Sequence, residues 1–399
     1  MEETNLKDIC EFIVDCPHST AKDEGGGYPL IRTPNVGRGR LVLHDVHRVC
    51  ERIYNERNER AIPSEGDIIL AREAPIGNAA IITHGQKVCL GQRVVLIRAN
   101  RSLVNPMFLV YYLLTDEIQH RLKNNANGAV VAHLNLNEIR ELKISIPEIE
   151  TQNKIAAVLS SFDEKLEINR RINDNLEQQA QASLKIWKEK VRRETHYSTK
   201  LETIASFVGG YSYKGKELVP SKIAMATIKN FNRNGGFKLD GYKEIEPSDK
   251  IKPVQFANLY DILVAHTDLT QNAEVIGNTE LVLSFGGYES IIFSMDLVKV
   301  EPKDVFPYKF LLAALLRDSD FKIHCMGYVN GTTVLHMSKK ALPEFDVLLP
   351  EDEDSICQID NYLSSIYRKM AEIVTENSRL ACLRDTILPK LMSCELKIS

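Results

Sequence analysis

One run of residues occurs twice in this chain, in the same order and spacing, about two hundred positions apart. Residues 6–12 (LKDICEF) match residues 201–207 (LETIASF), and Gly66-Asp67-Ile68-Ile69-Leu70-Ala71 matches Tyr260-Asp261-Ile262-Leu263-Val264-Ala265. Asn78 falls opposite Asn272. Asn105-Pro106-Met107-Phe108-Leu109 answers Phe306-Pro307-Tyr308-Lys309-Phe310, and residues 128–133 (GAVVAH) answer residues 331–336 (GTTVLH). Pro147 and Pro350 close the two copies. Solenoid units run to roughly 20–50 residues, so a period this long marks a duplicated domain. Internal pseudo-two-fold symmetry is the expected result.

Each copy is followed by a heptad stripe. Ile155, Leu159, Phe162, Leu166, Asn169, Asn173, Leu176, Ala180, Ser183 and Trp187 fall at alternating steps of four and three. Ile359, Leu363, Ile366, Met370, Ile373, Asn377, Leu380, Arg384, Ile387 and Leu391 repeat the steps, each 204 positions beyond its counterpart. A periodic run of roughly 40 residues exceeds an ordinary globular helix and suits a coiled coil about 60 Å long. A single stripe could pack on its own domain's core. Two stripes in register, with Asn173 and Asn377 at the same seam position, point to helices that pack on each other, since a seam Asn fixes pairing. The intervening domain must return the chain, so the pair is expected to be antiparallel. The reading is α+β: two pseudo-symmetric α/β globules (1–146 and 195–349), separated by long helices at 147–194 and 350–399. Short strands are expected around residues 67–70, 79–83 and 94–98, with a helix over 106–123.

At 399 residues, with 44% hydrophobic and 26% charged residues, the chain has ample core and a soluble surface. The start (MEETNLKDIC) has no basic region leading into an apolar run, and no window approaches about 18 apolar residues, so a cytoplasmic location is expected. The eight cysteines form no paired C-x-x-C and have no histidine at zinc spacing, so they are read as reduced and structural.

A net charge of −4 gives no general attraction to nucleic acid. The average conceals local basic clusters, while acidic runs sit at the helix starts. In the first copy the cluster comprises Arg32, Arg38 and Arg40, with Thr33 and Asn35 in the same loop, and Arg72 nearby in ILAREAPIGN. In the second it comprises Lys214 and Lys216, then Lys229, Asn230, Arg233 and Lys238, and His266 where Arg72 stood. Guanidinium and amide groups read guanine and adenine edges and hold phosphates, and Gly-rich loops let them approach. A single surface cation is ordinarily just solvated; clusters at equivalent places in two copies are the candidates. Asp67/Asp261, Gly128/Gly331 and His133/His336 are the same in both copies and are read as scaffold. The divergent loops suit two readers of different sequences.

A search for catalytic chemistry yields little. Gly210 to Lys216 opens like a phosphate-binding loop, but Glu217 stands where Ser or Thr must hold magnesium. Asn105-Pro106-Met107-Phe108 resembles an adenine-methyltransferase motif, yet its twin lacks the Asn and no glycine-rich S-adenosylmethionine loop accompanies it. Pro106 reads as an ordinary first helical residue. His44-Asp45-Val46-His47 lacks the remaining ligands of a metal site. The chain is expected to be no enzyme and to hold no cofactor or metal of its own.

Across its length the sequence resembles the specificity subunits of type I restriction-modification systems. The resemblance is carried by residues 128–135 (GAVVAHLN), Ile139, residues 142–147 (LKISIP), 152–156 (QNKIA) and 162–165 (FDEK). In the second half it is carried by residues 331–336, 348–350 and 388–391 (LPKL). Gln358-Ile359-Asp360 departs from the usual start of the second helix, which bears on the local methyltransferase contact. The resemblance implies two target-recognition domains, each reading one half of a bipartite, asymmetric DNA target, with the helices as a ruler. Half-sites on one face of B-DNA lie about 34 Å apart or multiples of it. It implies double-stranded DNA, two adenine-methyltransferase subunits and motor-endonuclease subunits as partners. S-adenosylmethionine, ATP and magnesium would be used on those subunits, and the methyltransferases would neutralise much of the phosphate charge. The alternative from another class is a coiled-coil assembly scaffold with duplicated protein-binding heads and no DNA reading, which the pI of 6.2 favours mildly.

Overall fold

The computed structural model describes residues 3–44, 46–124, 133–233, 235–268, 270, 272–331, 334–393 and 395–396. Gly128 with most of its run, Asp45, Thr332, Thr333 and Cys394 lie outside the described residues. The chain forms two compact units, Met1–Lys165 with Ala381–Ser399, and Leu166–Leu380.

The first unit is built on the run Ile68–Ala71, which is buried on both faces. Successive side chains of a strand point to opposite faces, so a continuous apolar run needs a cover on each side. Ile68 and Leu70 enter one core with Val95, Ile97, Phe108 and Leu109. Ile69 and Ala71 enter another with Ile31, Val94 and Leu96. The main sheet runs Cys10–Asp15, Val94–Ala99, Ile68–Ala71, Ala79–Ile81, with Gly39–Arg40 joined in parallel at its edge. A smaller sheet pairs Tyr28–Ile31 in parallel with Cys89–Leu90 and antiparallel with Arg48–Val49.

The second unit repeats this plan. Its main sheet runs Ala205–Gly209, Leu297–Pro302, Ile262–Ala265, Thr279–Leu281. Ile262 and Val264 face one core, Leu263 and Ala265 the other. The smaller sheet pairs Ile223–Ala226 in parallel with Ser290–Phe293. Each copy also closes with an outer antiparallel pair, Glu3–Asn5 with Lys143–Ser145 and His196–Lys200 with Asp346–Pro350.

Two sequence expectations need correction. The equivalent of Asn78 is Asn278, not Asn272. Ala71 N–H bonds the Asn78 carbonyl at 2.8 Å and Ala265 N–H bonds the Asn278 carbonyl at 2.9 Å, each after an Ile-Gly pair whose glycine has φ of +88° or +77°. Extra residues in the second copy displace the match. The helix expected over 106–123 is two helices, Pro106–Leu113 and Asp116–Asn124. The Thr115 hydroxyl donates to the Tyr112 carbonyl at 2.8 Å and the Gln119 amide to the Leu113 carbonyl at 2.8 Å. Those side chains occupy the carbonyls that end the first helix, and Asp116 and Glu117 favour a new start.

The stripes form helices of 45 residues (Ile149–Arg193, the central helix) and 40 residues (Glu353–Met392, the carboxy-terminal helix). Every seam position is buried or half-buried. In the second unit the pair is antiparallel: Asn169 meets Asn377, and the Trp187 indole donates to the Ser355 hydroxyl at 3.2 Å. The seam asparagines do not pair as twins. Asn169, 1% exposed, donates to Asn377 at 2.8 Å and to Glu376 at 2.7 Å, whereas the Asn173 carbonyl oxygen is buried without a partner.

Candidate nucleic-acid interface

In each unit the loop after the first strand of the small sheet is closed by one buried asparagine. Asn35 accepts the Arg32 N–H at 3.2 Å and donates to the Val42 carbonyl at 3.2 Å. Asn230 accepts the Thr227 N–H at 2.8 Å and donates to the Lys238 carbonyl at 2.7 Å. Both ends of each amide are used inside the loop, and the side chains are 5% and 0% exposed. Asn35 and Asn230, expected as base readers, are therefore corrected to loop staples. Thr33 is also buried.

Two loops meet at the same place in each unit. Asn78 donates to the Val36 carbonyl at 2.9 Å in the first, and Asn278 to the Asn232 carbonyl at 2.9 Å in the second. Arg38 is exposed on this surface and reaches the Leu114 carbonyl at 3.0 Å, while Arg40 is half-buried on the adjoining edge strand. Lys229 and Lys238 are exposed on the second loop, and Arg233 is exposed and 3.0 Å from Glu274. Arg32 is half-buried, with its Nε unpartnered.

Arg72 does not join the exposed group. Its guanidinium contacts both Asp15 oxygens at 2.7 Å and donates to the Leu134 carbonyl at 2.6 Å, with its side chain 13% exposed. It is an internal clamp, a correction to its expected base contact. His266, at the equivalent position, bonds the Met295 carbonyl at 2.7 Å. Leu134 N–H to the Arg72 carbonyl and Met337 N–H to the His266 carbonyl repeat the same main-chain link, and the His336 ring lies 3.3 Å from the Thr267 hydroxyl. Asp67 and Asp261 act as scaffold: each accepts a turn N–H, and Arg98 or Lys299 with Lys309 balances it.

Lys214 and Lys216 are exposed on a separate loop. That loop is folded around Glu217, whose carboxylate accepts the Lys214 N–H at 2.6 Å, the Tyr211 hydroxyl at 2.8 Å and the Ser248 N–H at 3.1 Å. These bonds, the Lys214 amide foremost, hold its pKa down at about 2. The acid that spoiled the phosphate-loop reading is a loop-closing acceptor.

Asn105 caps the helix Pro106–Leu113 by accepting the Met107 and Phe108 N–H groups, the ordinary work of an N-cap. Asp360, the departure in the second helix, accepts the Leu311 N–H at 2.8 Å and so anchors the matching helix Lys309–Arg317. No cluster able to hold a metal ion occurs among the described residues. No described helix is long and apolar enough to cross a membrane. Sequence reasoning missed Asn278, Glu280 and Arg317; the repeated Ile-Gly-Asn was the available signal for the first.

Residues 1–178 match the family model described as the type I restriction modification DNA specificity domain. The chain is 23% identical to the MjaIX specificity subunit of Methanocaldococcus jannaschii, over 98% of this chain and 93% of that protein. It is 23% identical to the HindI specificity subunit of Haemophilus influenzae, over 92% and 95%. A putative MjaX specificity subunit from M. jannaschii is 27% identical, but over 40% of this chain and 35% of that protein. The crystal structure of a type I S subunit from M. genitalium has the same fold, with a TM-score of 0.55, 17% identity and coverage of 100% of this chain and 96% of that one. Two duplicated α/β units carry divergent loops, and two long helices pair in the second unit. The match over residues 1–178, with the full-length likeness to specificity subunits, makes the chain similar to the type I restriction-modification specificity proteins.

Proposed function

We propose that this chain is the DNA-reading subunit of a type I restriction-modification complex, each unit reading one half of a bipartite, asymmetric target. The observation that carries this reading is the paired-loop surface. Two units share strand order and register, yet the convergent loops over the edge strand differ in nearly every outward side chain. Arg38 and Arg40 in one unit, and Lys229, Arg233 and Lys238 in the other, supply phosphate and base contacts there, with Lys214, Lys216 and His266 flanking.

The helices set the gap between half-sites and dock two adenine-methyltransferase subunits. At 1.5 Å per residue they are about 60 and 68 Å long, enough for one to two turns of duplex. Motor-endonuclease subunits complete the complex. S-adenosylmethionine, ATP and magnesium act on those partners, and this chain contributes no catalytic group.

Methylation mapping tests the reading. DNA from cells expressing the chain with its methyltransferase should carry a bipartite N6-methyladenine motif that disappears when this chain alone is removed. An unchanged methylation pattern would overturn the assignment and favour an assembly scaffold.

A further inference from the structure

The edge of the main sheet is finished differently in the two units. In the first, Gly39 and Arg40 of the candidate loop pair in parallel with Ala80 and Ile81, so a main-chain ladder ties the loop to the edge. In the second, the sheet stops at Thr279–Leu281, and no described loop residue extends it. Glu280 stands at that edge. The registers make it the counterpart of Ala80, because Ile69 faces Ala80 and Leu263 faces Glu280.

One Glu280 oxygen accepts the N–H of Gly236 at 2.5 Å, on the loop that carries Arg233 and Lys238. The other lies 3.1 Å from Arg317. Arg317 donates to Glu177 of the central helix at 2.9 Å and to the Tyr367 hydroxyl of the carboxy-terminal helix at 3.3 Å. A continuous polar chain thus runs from the loop, through the sheet edge, to both long helices. Every member belongs to the second unit.

Burying a carboxylate is costly unless it is paired and hydrogen-bonded, and the Glu280 side chain is 7% exposed. The fold itself does not require an acid there, since the sister unit has alanine. Arg317 does not require it as sole counter-charge either, since Glu177 already faces it. What Glu280 supplies beyond these is a tie from the Asn230-closed loop to the sheet edge, the tie that main-chain pairing supplies in the first unit. Gly235 and Gly236 have φ of +87° and +98°, a left-handed backbone that glycine adopts freely. Asn232 N–H bonds the Gly236 carbonyl at 2.9 Å across this turn, and the bond to Glu280 adds a fixed point that sets the Gly235-Gly236 turn against the sheet edge.

We propose that Glu280, braced by Arg317, is a positioning residue that sets the specificity of the second unit without touching DNA. The inference rests on the DNA-reading assignment above. It predicts an asymmetry: disturbing the strut alters reading of one half-site only.

Two measurements on the full chain test it. The first is motif mapping of the methyltransferase complex containing wild-type, E280A or E280Q chain. E280A should reduce base discrimination about tenfold or more at one half-site, as loss of a charged hydrogen bond implies, and leave the other unchanged. E280Q, which retains an acceptor for Gly236, should fall closer to wild type. Unaltered discrimination in E280A, or parallel loss at both half-sites, overturns the proposal. The second is amide hydrogen exchange of the purified chain. Residues 232–238 should exchange about tenfold or more faster in E280A than in wild type, with E280Q in between; equal rates overturn the strut. If the wild-type complex gives no bipartite motif, the DNA-reading assignment fails, and with it the proposed specificity role, while exchange still decides the geometry. Should E280A not fold, R317K, which loosens the brace on Glu280, should show the loss at one half-site and the faster exchange of residues 232–238, and wild-type behaviour of R317K in both assays overturns the proposal.

Discussion

Asn169 and Asn173 lie one helical turn apart on the same seam, yet substitution by leucine should move stability in opposite directions. The Asn169 amide donates to Asn377 and to Glu376, at 2.8 and 2.7 Å. N169L removes both donations while leaving the acceptors in place. A buried acceptor deprived of its donor costs about 1–3 kcal/mol, and both partners are half-buried here, which puts each near the low end. The added apolar surface offsets part of that, leaving a net loss of about 1–2 kcal/mol. The Asn173 oxygen is already buried without a partner, so N173L removes a standing penalty and gains about 1 kcal/mol. Denaturant titration followed by circular dichroism measures both, and an unchanged slope assigns the shift to the folded state. The double variant N169L/N377L removes donor and acceptor together and should recover about 1 kcal/mol relative to the sum of the single variants. N169L as stable as wild type, or N173L as the more damaging change, would refute this account of the seam.

Other outcomes follow from the same geometry. R72A should lower the unfolding free energy by about 2–3 kcal/mol, because it leaves the half-buried Asp15 carboxylate without its guanidinium partner; unchanged stability with altered site preference would restore Arg72 as a reader. Lys229→Ala and Lys238→Ala should weaken the complex on all sequences alike and each reduce the salt slope of binding by about 1; a base-specific change would contradict a phosphate role. Glu217 has a depressed folded pKa, so its bonds stabilise the loop above the ordinary carboxylate value and are lost as pH falls through about 2. Protection of the Ser248 amide, measured against its intrinsic exchange rate, should therefore fall at acid pH in wild type and show no such pH dependence in E217Q.

Much of the architecture was legible because it rests on periodicity. A short apolar run bounded by turn signals marked the strand at Ile68–Ala71, the internal repeat carried it to Ile262–Ala265, and steps of four and three marked both helices. Pairing details were not legible. Antiparallel packing sets Asn169, not Asn173, against Asn377, a choice that depends on where the turn-around falls and not on the heptad itself. The loops were singled out by composition, but composition does not say which way a side chain points. Asn35, Asn230 and Arg72 have the chemistry of base readers and spend it inward on carbonyls and on Asp15. The break at Leu114 escaped notice because the apolar pattern continues across it while Thr115 and Gln119 take the carbonyls.

The staples formed by Asn35 and Asn230 separate two tasks that a binding loop ordinarily mixes. Closure of each loop on itself depends on one amide and two backbone partners at fixed positions, and its seating on the sheet edge on Gly39 and Arg40 or on Gly236, so the remaining outward residues are free to change without reopening the loop. Each loop is in effect a cassette with a fixed clasp. A library that randomises the outward positions while retaining the asparagine should yield a high proportion of folded chains, and a search for new target preferences could be confined to those few codons.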